Sequence, residues 1–243
     1  MVLAHRKSLL DSQGDYLYLS NLYSFRDVPL KAGTVLQEGL DKGIVESNEK
    51  HWTMTGDAWY AAEELENALV AFERAGQAAE DGEMDLRRGY ILIDLERWET
   101  ARDALNAALQ KGGMNERKTG EALLMRGMAE FNMGNLDLAD ATWVEAARVL
   151  ATQSAAAADS LTGRLTHAFR RMLSRQPTED ELELLRAMYA RQYDLFAPDV
   201  AAAEQLLSVG ASPHDITLHP VEQAALTSVC LAIANLDEAL SRE

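Results

Sequence analysis

Apolar side chains recur every three or four residues along most of the chain, which is the period of a helix with one buried face. One C-terminal stretch shows this stripe at Leu182, Leu185, Met188, Tyr189, Leu195 and Phe196. No segment alternates apolar and polar residues for long enough, between turn residues, to predict a sheet. The pattern therefore predicts an all-α protein.

Proline and glycine positions agree with this prediction. The five prolines stand where helices are expected to begin or end, at Pro29, Pro177, Pro198, Pro213 and Pro220. The acidic residues that follow Pro177 fit the first turn of a helix, where the backbone dipole favours negative charge. Gly210 is placed to end one helix before Pro220 begins the next.

A pattern of about 34 residues recurs four times before residue 150, each copy having the spacing of a helical hairpin. The second copy carries Trp52, Gly56, Trp59, Ala68, Phe72 and Ala75. The third carries Gly89, Leu92, Ala101, Leu105 and Ala108, and the fourth carries Leu123, Gly127, Phe131, Ala139, Trp143 and Ala146. The first and weaker copy has Tyr16, Leu19, Ser20, Tyr23, Ala32, Leu36 and Gly39.

The residue types follow from how two helices of a hairpin approach each other. Where the axes come closest only Gly, Ala or Ser fits, and this is the place of Gly56 and Ala68. Large side chains such as Trp52 and Phe72 then seal the hairpin and its joint with the next one. We interpret these aromatic residues as structural rather than as parts of a site.

On these residues, the chain from 15 to 150 resembles the tetratricopeptide repeat proteins. The segments DGEMDLRRGYILIDLERWETA, LQKGG and LLMRGMAEFNMGN are similar to repeat proteins of Gram-negative bacteria that accompany TonB energy-transduction systems. The resemblance implies a bacterial α-solenoid that acts as a protein-binding scaffold in or near the periplasm or cell envelope. The start of the chain has no targeting segment, which by itself indicates the cytoplasm, so the compartment stays open.

The last third of the chain predicts a second module. All six lysines and all four tryptophans precede residue 150, and the small residues of 151–160 (ATQSAAAADS) suit either a helical extension or a loose connector. We therefore predict a repeat solenoid over 1–150, a connector over 151–160 and a bundle of about four helices over 161–243. The stretches RMLSRQPTEDEL, AAAEQLLSVG, HPVEQAALTSV and ANLDEALSRE resemble the C-terminal domain of large secreted planctomycete proteins that often carry cytochrome-c-like domains. That resemblance implies a fold and no catalytic residue, since this chain lacks CxxCH.

Charge and cysteine content exclude several functional classes. Twenty-three Lys and Arg stand against 39 Asp and Glu, a net charge of −16, which would repel a nucleic acid. No apolar run is long enough to insert into a membrane. The lone Cys230 has no partner for a disulfide and stands in an apolar helical stretch, so we predict a buried, inert thiol. No cofactor is predicted.

In the tetratricopeptide family, the first helix of each hairpin lines a concave groove. Mapped onto this chain, the apolar stripe of that groove includes Leu86 and Ile93. The residues predicted to bind a partner are Asn21, Asp57, Tyr60, Tyr90, Asp94, Met128, Phe131 and Asn132. They suit a peptide or helix whose apolar anchors are buried while amide groups fix its orientation. We therefore predict a non-enzymatic protein-protein interaction scaffold.

Two other functions remain open. The C-terminal bundle could fill the groove, with Tyr90, Met128 and Phe131 packed against it, which would make the chain a structural unit or a homo-oligomer. A metal-dependent activity would rest on His214, Asp215 and His219, with Glu222 nearby. The segment before Pro220 is better explained as the cap of a helix, with Glu222 in its first turn, so no metal site is predicted.

Overall fold

The computed structural model describes residues 10–212 and 218–236. In these residues the chain is helical without strands, as predicted. The helices are α1 (Gln13–Phe25), α2 (Pro29–Asp41), α3 (Glu49–Ala61), α4 (Leu65–Ala78), α5 (Glu83–Asp94), α6 (Trp98–Lys111), α7 (Glu116–Asn132), α8 (Leu136–Ala157), α9 (Leu161–Leu173), α10 (Glu179–Phe196), α11 (Val200–Leu207) and α12 (Pro220–Ala234). None of them, within the described ranges, is long and apolar enough to span a bilayer.

The chain divides into two compact units between Met114 and Asn115. The first unit contains α1 to α6 and the second contains α7 to α12. This division differs from the predicted one at residue 150. The reason is that α8 continues to Ala157 and its last turns, including Ala151, belong to the core formed with α9, α10 and α12.

The predicted connector is largely helix. Residues 151–157 form the end of α8, and only 158–160 separate it from α9. Ala151 and Ser154 are fully buried there. Of the two conformations that the small residues allowed, the helical extension is therefore the observed one.

Consecutive helices pair as α1–α2, α3–α4, α5–α6 and α7–α8. In three of the pairs a glycine of the first helix faces a large side chain of the second: Gly56 faces Phe72, Gly89 faces Leu105 and Gly127 faces Trp143. A Cβ atom at Gly56 or Gly89 would lie 2.5 Å from the facing side chain. Any larger residue would push these helix axes apart, as the sequence pattern predicted.

The first pair closes differently. Ser20 occupies the place of the glycine, and its buried hydroxyl donates to the carbonyl of Ala32 at 3.1 Å. Ala32 is fully buried, as are the corresponding alanines of the other three pairs, Ala68, Ala101 and Ala139. All four predicted close approaches are therefore present.

The turn inside each pair has the same backbone geometry. One residue in each adopts a left-handed conformation: Asp27, Glu63, Glu96 and Gly134, with φ between 55° and 82°. The N–H of the next residue donates to a carbonyl five residues back, for example Arg97 to Leu92 at 2.8 Å and Asn135 to Glu130 at 2.9 Å. These are the hydrogen bonds of a Schellman turn, so the repeat is visible in the main chain as well as in the side chains.

Candidate functional site

The predicted partner-binding residues fall in both units. Asn21, Asp57, Tyr60, Tyr90 and Asp94 belong to the first unit, and Met128, Phe131 and Asn132 belong to the second.

In the first unit, two side-chain contacts join α3 to α5. The hydroxyl of Thr53 on α3 lies 3.3 Å from the sulfur of Met84 on α5. One turn further along, the guanidinium of Arg87 donates to the carboxylate of Asp57. Because both pairs join the two first helices, this surface is one continuous face of the unit.

Tyr60 is the exposed aromatic residue of this face. It lies one turn beyond Asp57 and so projects from the same side of α3, and 51% of its surface is accessible. On α5, Tyr90 is partly buried and Asp94 is exposed. We refer to Asp57, Tyr60, Arg87, Tyr90 and Asp94 as the α3/α5 face.

Two features of this face differ from the prediction. Leu86 and Ile93, expected in the groove, are 2% and 6% exposed and belong to the interior. The carboxylate of Asp57 forms an ion pair with Arg87 within the chain, so it is not free to bind a partner as predicted. Asn21 is exposed on α1, where Phe25 is 85% exposed.

In the second unit, the three predicted residues take part in contacts within their own hairpin. The ring of Phe131 lies 5.8 Å from that of Trp143, although 52% of Phe131 remains exposed. The amide of Asn132 donates to the carbonyl of Met128 at 2.8 Å, so that amide group serves its own helix. The helices α9 and α12 pack against α8, the second helix of this hairpin.

The second unit also contains a buried polar cluster that the sequence analysis missed. The carboxylate of Glu145 accepts the N–H groups of Ala211 and Ser212 at 2.9 and 2.7 Å and the hydroxyl of Ser212 at 2.7 Å. Its other oxygen lies 3.0 Å from the guanidinium of Arg126. One turn along α8, Arg148 donates to the carbonyls of Val209 and Ser212 at 3.2 and 2.7 Å.

We call Arg126, Glu145, Arg148 and Ser212 the Glu145 cluster. Glu145 and Arg148 are 3% and 1% exposed, so each charge depends on these partners. The sequence signal was available, because two opposite charges interrupt the apolar stripe of WVEAARVLA at a spacing of three residues. The cluster fastens the segment 209–212.

The pKa of Glu145 reflects two opposing effects. Burial alone would raise it, but the hydrogen bonds from Ser212 and Ala211 and the charge of Arg126 outweigh burial and hold the pKa below its ordinary value. Glu145 is therefore ionised at neutral pH. Because the pKa is lower in the folded chain, the ionised carboxylate of Glu145 adds to the free energy of unfolding above the ordinary carboxyl pKa. This contribution is lost as the pH falls below that value.

The candidate metal residues are only partly described. His214 and Asp215 lie outside the described residues. His219 is the N-cap of α12 and its Nδ1 accepts the N–H of Val221 at 3.3 Å. Across 10–212 and 218–236, no three His, Cys, Asp or Glu side chains come together to hold a metal ion. The cap interpretation of His219 is the one that the structure shows.

Cys230 is fully buried and its sulfur forms no disulfide. Burial raises the pKa of this thiol, which leaves it protonated and unreactive at neutral pH. The predicted inert thiol agrees with this environment.

Comparison with known proteins adds no assignment. No family model matches the chain, and no curated protein matches it.

Proposed function

We propose that this chain is a protein-binding scaffold of the tetratricopeptide type, whose α3/α5 face receives a segment of a partner protein. The observation that carries the proposal is Tyr60, a large aromatic side chain left half exposed in the last turn of α3, on the face that α3 shares with α5. The recurring hairpins, with the same turn and the same glycine contacts, support the repeat type. The resemblance to proteins that accompany TonB systems points to a partner in the bacterial envelope.

Tyr60 has the properties of a binding anchor. Tyrosine buries a large apolar area on docking while its hydroxyl keeps a hydrogen bond, and it is enriched among residues that dominate binding energy. Asp57, Arg87 and Asp94 give the α3/α5 face its polar groups. Since the chain has a net charge of −16, a basic or neutral partner segment is favoured over an acidic one.

The test compares two variants of the full chain. Tyr60→Ala removes the anchor, whereas Val70→Ala removes an apolar side chain of equal exposure, 50%, from α4. Immobilised wild type and both variants are used to capture proteins from bacterial envelope and cytosolic extracts, and affinities are then measured for each protein retained by the wild type. Loss of a central anchor costs about 2 kcal/mol, so we expect Tyr60→Ala to weaken binding about 30-fold and Val70→Ala to leave it unchanged.

Equal affinity of all three proteins for every captured partner would contradict the proposal. Circular dichroism of Tyr60→Ala supplies the folding control, because an exposed side chain should leave the helix content intact. The alternative of a homo-oligomeric assembly unit is examined by light scattering of the same samples. A defined oligomer that Tyr60→Ala dissociates would assign the α3/α5 face to self-association instead.

A further inference from the structure

A cleft opens in the second unit between the start of α7, the end of α8 and α9. Its mouth is lined by the first turn of α7 with Glu116 and Arg117, by Gln153 of α8, and by His167 and Arg171 of α9. The amide of Gln153 donates to the carbonyl of Glu116 at 2.8 Å and so holds α8 against α7 at this point. Two of the three walls, α7 and α8, are therefore joined directly at the cleft.

The mouth is lined by two arginines and one carboxylate, although the whole chain is acidic. Arg117 pairs with Glu121 on its own helix at 3.2 Å. Arg171 makes no hydrogen bond or ion pair with any residue of the described chain and is exposed at the cleft. A guanidinium without a carboxylate partner, set in a concave surface, is a donor of two parallel hydrogen bonds to an oxyanion.

The inner end of the cleft is mainly apolar. A cavity of about 60 Å³ shares Arg117, Gln153 and Arg171 with the mouth, and its other lining residues are apolar, among them Leu124, Leu150 and Met172, except for Glu121. This volume corresponds to about two water molecules at ~30 Å³ each. It therefore admits a short alkyl group behind the charged mouth.

The hydrogen bonds around His167 select one tautomer of its neutral ring. The hydroxyl of Ser154 donates to the carbonyl of Leu150 at 2.8 Å, so its one hydrogen is used. The ring Nδ1 of His167 lies 3.0 Å from the same hydroxyl oxygen and must be the donor there. The neutral ring then carries its lone pair on Nε2, and protonation at Nε2 converts that atom into a cationic donor.

From the guanidinium of Arg171 at the mouth and the apolar residues behind it, we propose that this cleft binds a small organic carboxylate with a short alkyl group. The carboxylate pairs with Arg171 and Arg117, and the alkyl group enters the apolar cavity. Glu116 lines the mouth and Glu121, the partner of Arg117, lines the inner cavity, and both carboxylates oppose binding. The site is independent of the α3/α5 face, so either proposal can fail without the other.

Binding should depend on pH through His167. Burial, and then the charges of Arg171 and Arg170, lower the pKa of this histidine. The charged groups facing it are Arg170 and Arg171 on α9 and Glu116 and Arg117 on α7, while α8 presents Gln153 and Ser154. Because a bound carboxylate favours the protonated ring, affinity should increase as the pH falls below the ordinary histidine pKa of 6.5.

The test titrates the full chain with butyrate, acetate, butyramide and inorganic phosphate. Calorimetry measures the affinity, and the imidazole NMR signal of His167, assigned with His167→Gln, reports on the cleft. We expect saturable binding of butyrate that is stronger than that of acetate and of phosphate, and no binding of the uncharged butyramide. A saturating response to phosphate equal to that of butyrate, or an equal response to butyramide, would overturn the proposal, as would no response to butyrate.

Three substitutions sharpen the result. Arg171→Gln should weaken butyrate binding at least tenfold, because it removes a charge-assisted hydrogen bond. Arg170→Gln is the matched control, since this exposed neighbour acts on His167 through its charge but does not line the cleft, and it should change the affinity less than twofold. Glu116→Gln should tighten binding. Equal losses in the two arginine variants, or weaker binding by Glu116→Gln, would show that the cleft is not the site.

Discussion

Replacing Glu145 tests whether the Glu145 cluster holds segment 209–212 of the second unit in place. In Glu145→Ala, the N–H groups of Ala211 and Ser212 lose their acceptor, and Arg126 loses its buried carboxylate. Glu145→Gln keeps an oxygen in place for the backbone donors but removes the negative charge. The two variants therefore separate hydrogen bonding from charge.

The expected magnitude follows from the number and type of the broken contacts. A hydrogen bond to a charged group contributes about 1.5–3 kcal/mol, and removing one member of a buried ion pair costs about 3–5 kcal/mol. The contacts share one carboxylate and are not additive, so we expect Glu145→Ala to lower the free energy of unfolding of the second unit by about 3–5 kcal/mol. Glu145→Gln should cost less, about 1–3 kcal/mol, because its amide oxygen can still accept from Ala211 and Ser212.

The pH dependence gives the sign of the charge effect. The pKa of Glu145 is lowered in the folded chain, so its carboxylate stabilises the fold above the ordinary carboxyl pKa, near 4.5, and loses this effect as the pH falls below that value. At low pH the wild-type side chain is protonated and resembles glutamine. The difference in stability between wild type and Glu145→Gln should therefore be complete near neutral pH and should shrink as the solution is acidified.

The assay is urea unfolding followed by circular dichroism, together with native-state hydrogen exchange. Exchange is informative here because the amides of Ala211 and Ser212 report directly on the cluster. Glu179→Ala is the control, since Glu179 forms an exposed ion pair with Arg186 at 3.2 Å and such pairs contribute little. If Glu145→Ala unfolds within about 1 kcal/mol of wild type and both amides stay protected, the reasoning about this cluster is refuted.

Three further predictions concern the hairpins and the thiol. Glu96 has a φ of 55°, a conformation that glycine adopts without strain, so Glu96→Gly should raise the free energy of unfolding by about 0.5–1 kcal/mol. At the corresponding turn, Gly134→Ala should lower it by about 1 kcal/mol. Urea unfolding measures both changes. Gly89→Ala would place a Cβ 2.5 Å from Leu105, and we expect a loss of about 1–3 kcal/mol in the same assay; an unchanged midpoint would mean that the hairpin is looser than described. Cys230 should resist a thiol reagent in the native chain and react once urea unfolds it, and rapid labelling of the folded chain would contradict its burial.

The candidate face could be predicted in part. The hairpin period placed Tyr60 and Asp94 on first helices, and the structure leaves both exposed. The same period also placed Leu86 and Ile93 in the groove, where the structure buries them. The period fixes an angle around the helix axis, and it does not say how far a neighbouring helix covers the edge of that face.

The sequence by itself determined the local features: the helices, the four hairpins and their close approaches at residues such as Gly56 and Ala68. These features depend on periodicity and side-chain size, which act within a few turns of the chain. The tertiary structure decided the division between Met114 and Asn115, the Glu145 cluster and the cleft at Arg171. Each of these brings together residues far apart in the chain, Glu145 and Ser212 being 67 positions apart. Such pairings depend on how complete helices pack, and single-chain periodicity carries no information about that packing.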